Sequence, residues 1–200
     1  MKRKISHNQK GFTIVETLVS LTIFTIALVG LLSITGRGIS DTTIARNRMT
    51  ANFLAQEGLE SVRAIRDTLI QRDQTNGWGD FTARMTTANC EESTGGCDID
   101  PLSDVVSTSV DQVLVAHACT QSPPPNNCTL RFDSSTGYYG YLPATNGQPL
   151  PQSVFTRIIT IDPVNGSSDP NERVVTVKVH WNKGLHTEET QVTENLYNWF

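Results

Sequence analysis

A single carboxylate, Glu16, stands in a run of about 25 residues, Phe12 to Gly36, that holds no other charge. Folded as a helix, such a run spans a hydrocarbon core of roughly 30 Å. An acid inside such a segment is costly and is a functional hypothesis by default. It must meet an opposite charge or neutralise itself by taking up a proton. No Lys, Arg or His of the run can serve. The other residues with chemistry in them are Cys90, Cys97, Cys119 and Cys128, His117 close to Cys119, and an oxygen-rich connector holding Asp162, Asn165, Asp169 and Glu172. A cysteine beside a histidine is the raw material of a nucleophile, yet His117 and Cys119 read as a surface imidazole and a disulfide sulfur of one loop. His-Glu-x-x-His, Gly-x-Ser-x-Gly and phosphate-binding glycine loops are absent from the sequence. The reading is therefore not an enzyme.

The order Lys10-Gly11-Phe12-Thr13-Ile14-Val15-Glu16, behind a leader carrying Lys2, Arg3 and Lys4, resembles the N-terminus of type IV prepilins and of the pseudopilins of type II secretion. An ordinary secretory signal has a shorter apolar stretch, about 7–15 residues, with the cleavage site after it; here the glycine comes first. A plain single-pass anchor fits the length but gives no reason for Glu16 or for the Gly11-Phe12 junction. The resemblance implies that prepilin peptidase cuts between Gly11 and Phe12 and methylates the new amino terminus. That amine stays charged. Phe12 and Glu16 are four residues apart, so one chain could pair them; the family assigns the amine to the glutamate of a neighbouring subunit, which sets axial register. Family members at the extreme tip can lack the glutamate, so its presence implies a subunit that docks below others. Arg37, Arg46 and Arg48 follow the span almost as densely as the leader precedes it, so charge bias orients it weakly. The resemblance places the anchor in the cytoplasmic membrane as a single pass, with the C-terminal part outside and, after assembly, in a pilus at the cell surface. Its implied partners are other pilin or pseudopilin subunits, the peptidase and the assembly platform in the membrane.

Those residues need elements to hold them. Ala51, Ala55, Gly58, Val62, Ile65 and Leu69 recur at spacings of three and four, with Leu54 and Leu59 beside them: one amphipathic stripe. Gln56, Glu57, Glu60, Arg63, Arg66 and Asp67 fall largely off it, and the spacing predicts an Arg63–Asp67 pair. With the apolar run this gives one helix from about Thr13 to about Ile70, some 85 Å at 1.5 Å per residue. No proline interrupts it, and Gly30, Gly36 and Gly38 are where it would bend or locally melt. The block from Phe53 to Asp67 resembles the post-membrane helix of PilV-type minor pilins. From Asn76 to Pro151 the composition turns to Gly, Ser, Thr, Asn and Pro, with turns at Asn76-Gly77, Gly95-Gly96, Pro123-Pro124-Pro125 and Asn146-Gly147 and short strands over 110–118 and 129–132.

The C-terminal part reads as sheet. Val154 to Ile161 and Arg173 to Trp181 alternate; in the second, Val175, Val177, Val179 and Trp181 share one face and Thr176, Lys178 and His180 the other. A third run, Glu188 to Tyr197, turns Val192, Leu196 and Thr190 inward. Three strands with short turns make an antiparallel meander, and the stripe from Ala51 to Leu69 is its cover. The pattern from Phe155 and Arg157 through Trp181 to Leu196 also resembles PilV-type subunits. The expected class is thus α+β: a pilin fold, with a long N-terminal helix, membrane-spanning in its first half, packed on a C-terminal antiparallel β-sheet. The expected divisions are a cleaved leader (1–11), a transmembrane and assembly helix (12–36), its amphipathic continuation (37–72), a variable disulfide-bonded loop region (73–152) and the β-meander (153–200).

An even cysteine count in a domain outside the cytoplasm reads as disulfides. Of three connectivities, Cys90–Cys97 with Cys119–Cys128 closes the two shortest loops; Zn²⁺ prefers tighter spacings than these pairs, which enclose six and eight residues. Such bridges would stabilise loops with little core of their own. Major pseudopilins hold calcium in a C-terminal loop, and Asp162, Asn165, Asp169 and Glu172 could ligate it here, but their spacing matches no EF-hand and suits a polar hairpin equally. No cofactor is expected. Loss of the leader would remove four basic residues and no acid, taking formal charge from −4 to about −8 (12 basic against 20 acidic). That balance excludes nucleic acid as the main partner, since phosphate contacts need a basic face. The functional reading is a minor pilin or pseudopilin, a subunit design shared by adhesive pili, DNA-uptake fibres and secretion machines. Its alternative is a non-polymerising, membrane-anchored binding protein with a disulfide-stabilised outer domain.

Overall fold

Helix α1 runs from Ile14 to Arg72, and its two halves behave differently because their sequences do. The structure, a computed structural model, describes residues 11–101, 116–119, 127–141, 150–164, 169–184 and 186–199. The chain divides into two compact units, Met1–Arg46 and Asn47–Phe200. In the first, residues 11–43 are exposed throughout, and the helix continues through Gly30, Gly36 and Gly38 without a break.

In the second unit the stripe is buried as its spacing requires: Ala51, Leu54, Ala55, Gly58, Leu59, Val62, Ile65 and Leu69 all lie inside. At Gly58 the helix approaches the sheet closely. A Cβ there would stand 3.1 Å from Arg157 Cδ and 3.1 Å from Val177 Cγ1. The expected Arg63–Asp67 pair does not form. Arg63 reaches across to Glu194 and along the helix to Glu60, and Asp67 is taken by Arg66, 2.7 Å away. Arg66, expected to lie off the stripe, is itself buried; its long apolar stem covers core while its head meets Asp67.

The meander is present and larger than its three predicted strands. Strands β5 (Gln152–Pro163), β6 (Glu172–Lys183) and β7 (His186–Tyr197) pair antiparallel in sequence order. Val175, Val177, Val179 and Trp181 are buried, as is Leu196, and Val192 packs against the same core. Four short strands extend this to a seven-stranded sheet: β1 (Cys97–Ile99), β2 (Ala116–Ala118), β3 (Thr129–Phe132) and β4 (Tyr139–Gly140). The second edge of β5 is shared. β3 pairs at Gln152 and Thr156, and β1 at Ile159. Of the strand expected over 110–118, residues 110–115 lie outside the described residues.

Residues 73–152, read from composition as loop-rich, also contain a helix, α2 (Gly77–Thr87), whose Trp78, Phe81 and Met85 are core residues. Its aromatic end is fixed by the Trp78 indole, which donates to the Pro170 carbonyl at 2.8 Å. A helix whose second half packs on a C-terminal antiparallel sheet is the pilin-like α+β fold.

Candidate functional site

Thr13 starts α1 and thereby positions Glu16. The Thr13 carbonyl accepts from the backbone of Glu16 and Thr17 at 3.1 and 3.2 Å, and the Thr13 hydroxyl accepts from the Glu16 N–H at 3.3 Å. Thr13-Ile14-Val15-Glu16 is a capping-box spacing, and an acid in the first turn is favoured by the helix dipole. Gly11, Phe12 and Thr13 precede the helix, and Phe12 is exposed.

Five hydroxyls of the apolar run are absorbed by the helix itself. Thr17, Ser20, Thr22, Thr25 and Thr35 donate to carbonyls three or four residues back, at 2.7–2.9 Å. That is how a helix carries hydroxyls where no water is at hand. Glu16 has no such exit. Among the described residues no side chain pairs with its carboxylate. Helix α1 is apolar and long enough to cross a membrane, and none of its apolar window is buried within the protein.

The second unit holds a charge cluster of the opposite character, in which every partner is in place. Arg157, fully buried, donates Nε to Asp98 at 2.7 Å, one terminal nitrogen to Glu57 at 2.8 Å and the other to the Ile99 carbonyl at 2.7 Å. The Tyr141 hydroxyl donates to the other oxygen of Asp98, and Asp100 accepts from the Tyr141 backbone at 2.8 Å. Burial pushes the Asp98 carboxyl up, against the pull of Arg157 and Tyr141. Burial draws Arg157 down, but Asp98 and Glu57 more than offset it and hold the guanidinium charged. The cluster ties α1, β1, β5 and the segment after β4 together. Sequence reasoning assigned it no role, although one signal was available: Arg157 occupies the same inward phase of β5 as Phe155, Ile159 and Ile161.

Two disulfides join Cys90 to Cys97 and Cys119 to Cys128. Cys90 and Cys97 belong to the main core, so the first bridge secures core and not an unsupported loop. The Cys90 and Cys128 carbonyls accept from Ile161 and Arg157, at 2.7 and 3.2 Å, continuing the pairing along the shared edge of β5. With Cys119 bridged, His117 has no thiolate to activate; it is exposed and sits edge-on to Tyr141. The proposed calcium ligands are occupied individually. Asp162 accepts from the Glu92 backbone, Asp169 from that of Asn171, and Glu172 from the Asn195 amide. Asn165 lies outside the described residues, and among those described no three acidic, histidine or cysteine side chains group to hold a metal ion.

Residues 6–32 match the family model of the prokaryotic N-terminal methylation motif. Over those residues the chain is prepilin-like. Its motif is that of type IV pilins and pseudopilins, structural proteins and not enzymes, and implies cleavage by prepilin peptidase and assembly with pilins. The matched segment ends within the apolar half of α1, so it covers Gly11, Phe12 and Glu16 but none of the second unit. No curated protein and no solved structure matches the chain.

Proposed function

We propose that this chain is a minor pilin or pseudopilin of PilV-like type: cut between Gly11 and Phe12, methylated at Phe12, and built into a type IV pilus-like fibre. The observation that carries this reading is that, among the described residues, the Glu16 carboxylate has no partner, on a helical half that absorbs five of its hydroxyls and leaves its apolar residues exposed. A surface of that kind is complete only beside other apolar helices. There, desolvation makes an unpaired carboxylate expensive, and an ammonium from Phe12 of a neighbour supplies the missing partner. The pair sets the register between subunits, and the apolar faces supply the lateral attraction. Before assembly the same half of α1 anchors the chain in the cytoplasmic membrane, with the second unit outside, where its cysteines can oxidise. Partners are pilin or pseudopilin subunits, prepilin peptidase and the assembly platform.

The test is Glu16→Ala in the full chain. Cleavage and folding of the second unit stay intact, while incorporation into fibres falls by about tenfold or more, because the Phe12 ammonium loses its counter-charge. Undiminished incorporation would remove the proposed role of Glu16.

A further inference from the structure

Within the second unit, the outer face of α1 and the segment around β4 enclose a groove of about 370 Å³ lined by Phe53, Glu57, Tyr138 and Tyr139, among others. Phe53 and Tyr138 stand at 64% and 58% exposure. Tyr139 is fixed beneath them by rings of Phe132 and Phe155, at 4.8 and 5.7 Å between centroids. The carboxylate of Glu57 is only part-buried, and its one cationic contact among the described residues, Arg157, is shared with Asp98. One guanidinium therefore serves two carboxylates, and the groove stays net negative. Aromatic faces around an under-neutralised acid are the chemistry of an organic-cation site, best suited to an arginine, which stacks on rings and forks to a carboxylate.

The chain itself supplies such a cation. Of its 16 basic residues, four lie in the leader and three, Arg37, Arg46 and Arg48, in the α1 collar that follows the apolar run; the remaining nine face eighteen of the 20 acids, Glu16 and Asp41 being the other two. The collar and the chain beyond it thus carry opposite net charge. Arg37, Arg46 and Arg48 are exposed, and none has an ion pair among the described residues. We propose that the Phe53–Glu57–Tyr138 groove receives the arginine collar of a second copy of this chain, through Arg48 or Arg46. The contact joins two different surfaces of the same molecule, so it is heterologous, and a minor subunit uses it wherever two copies are neighbours. The inference rests on the assembly reading above and adds to it a second, polar contact between subunits, distinct from the Phe12–Glu16 pair.

The test uses the full chain carrying a photo-crosslinking amino acid at Arg48, co-expressed with an isotopically labelled, untagged second copy. The expected adduct links position 48 of one copy to the Phe53 or Tyr138 peptide of the other. It falls at least threefold when the second copy carries Phe53→Ala and Tyr138→Ala, both exposed positions. Adducts to lipid alone would mean that the collar serves headgroups and would overturn the docking; so would adducts elsewhere on the second unit. The wild-type map decides this even if the double variant folds poorly. Processing is read from the same sample. A cut, fibre-borne chain without the adduct overturns the docking only, whereas an uncut chain overturns the assembly reading on which it rests.

Discussion

The two halves of α1 are continuous in backbone and opposite in surface. Residues 14–36 expose nearly everything they carry, including Leu21, Phe24 and Leu32, whereas Ala51, Val62, Ile65 and Leu69 of the second half are at most 2% exposed. The difference lies in where each half finds its partner. The second half has the sheet of its own chain. The first has no cover among the described residues of its own unit, and lipid or other helices would stabilise its apolar residues. The same contrast holds for charge: Arg157 is buried with its partners around it, while Glu16 has none among the described residues. A group satisfied internally speaks of folding, and a group left unsatisfied speaks of assembly.

Substitutions can separate the two roles. The largest effect on folding is expected at Arg157→Leu, which leaves Asp98 buried without its cation and should destabilise the second unit by about 3–5 kcal/mol. Thermal or denaturant unfolding of the chain in detergent measures it, and processing at Gly11 should not change. Next comes a matched pair. Ile65→Ala removes a residue 1% exposed and should cost about 2–5 kcal/mol by leaving a cavity. Leu21→Ala, 59% exposed, should leave that stability within about 0.5 kcal/mol and instead lower the fibre fraction. Equal destabilisation by both would erase the distinction between the halves. Replacing Cys90 and Cys97 by serine should cost about 2.5 kcal/mol, from a loop with a sequence separation of 7. Hydrogen exchange should show β6 and β7 keeping their protection while the Cys90–Ile99 segment loosens.

The smallest effect concerns pH. Asp73, after the end of α1, is held below its ordinary 3.8 by the side chain of Asn76 first and by the backbone of Asn76 and Thr75. A lowered carboxylate contributes stability above its unfolded value, and that contribution is lost as pH falls through the folded one. Asp73→Asn should therefore slightly lower stability at neutral pH and flatten the loss below about pH 4, so that the two chains converge in acid, as read by melting across a pH series.

How much was legible in the sequence follows from the same contrast. The stripe from Ala51 to Leu69 and the alternation of Val175 to Trp181 were readable because each element buries one face, so its period survives in the residue types. Helix α2 escaped because Asn76-Gly77 and Gly79 mark turns, although Trp78, Phe81 and Met85 lie three and four apart. Strand β1 escaped for a different reason: all three of its residues are buried, so no alternation marks it. The Arg63–Asp67 expectation failed because helix spacing alone knows nothing of Glu194 on a strand 131 residues away. The methylation motif around Gly11, Phe12 and Glu16 was legible, since a lone charge in an apolar run and a Gly-Phe border are statements about composition. What would surround Glu16 in the proposed fibre belongs to other chains and was never written in this one.

The most direct measurement is intact mass with N-terminal sequencing of the full chain, taken from native membranes and from sheared surface fibres. The account predicts a chain beginning at methylated Phe12, present in the fibre fraction. A chain still starting at Met1, in membranes where prepilin peptidase is active, would contradict it and leave Glu16 without a partner in any state.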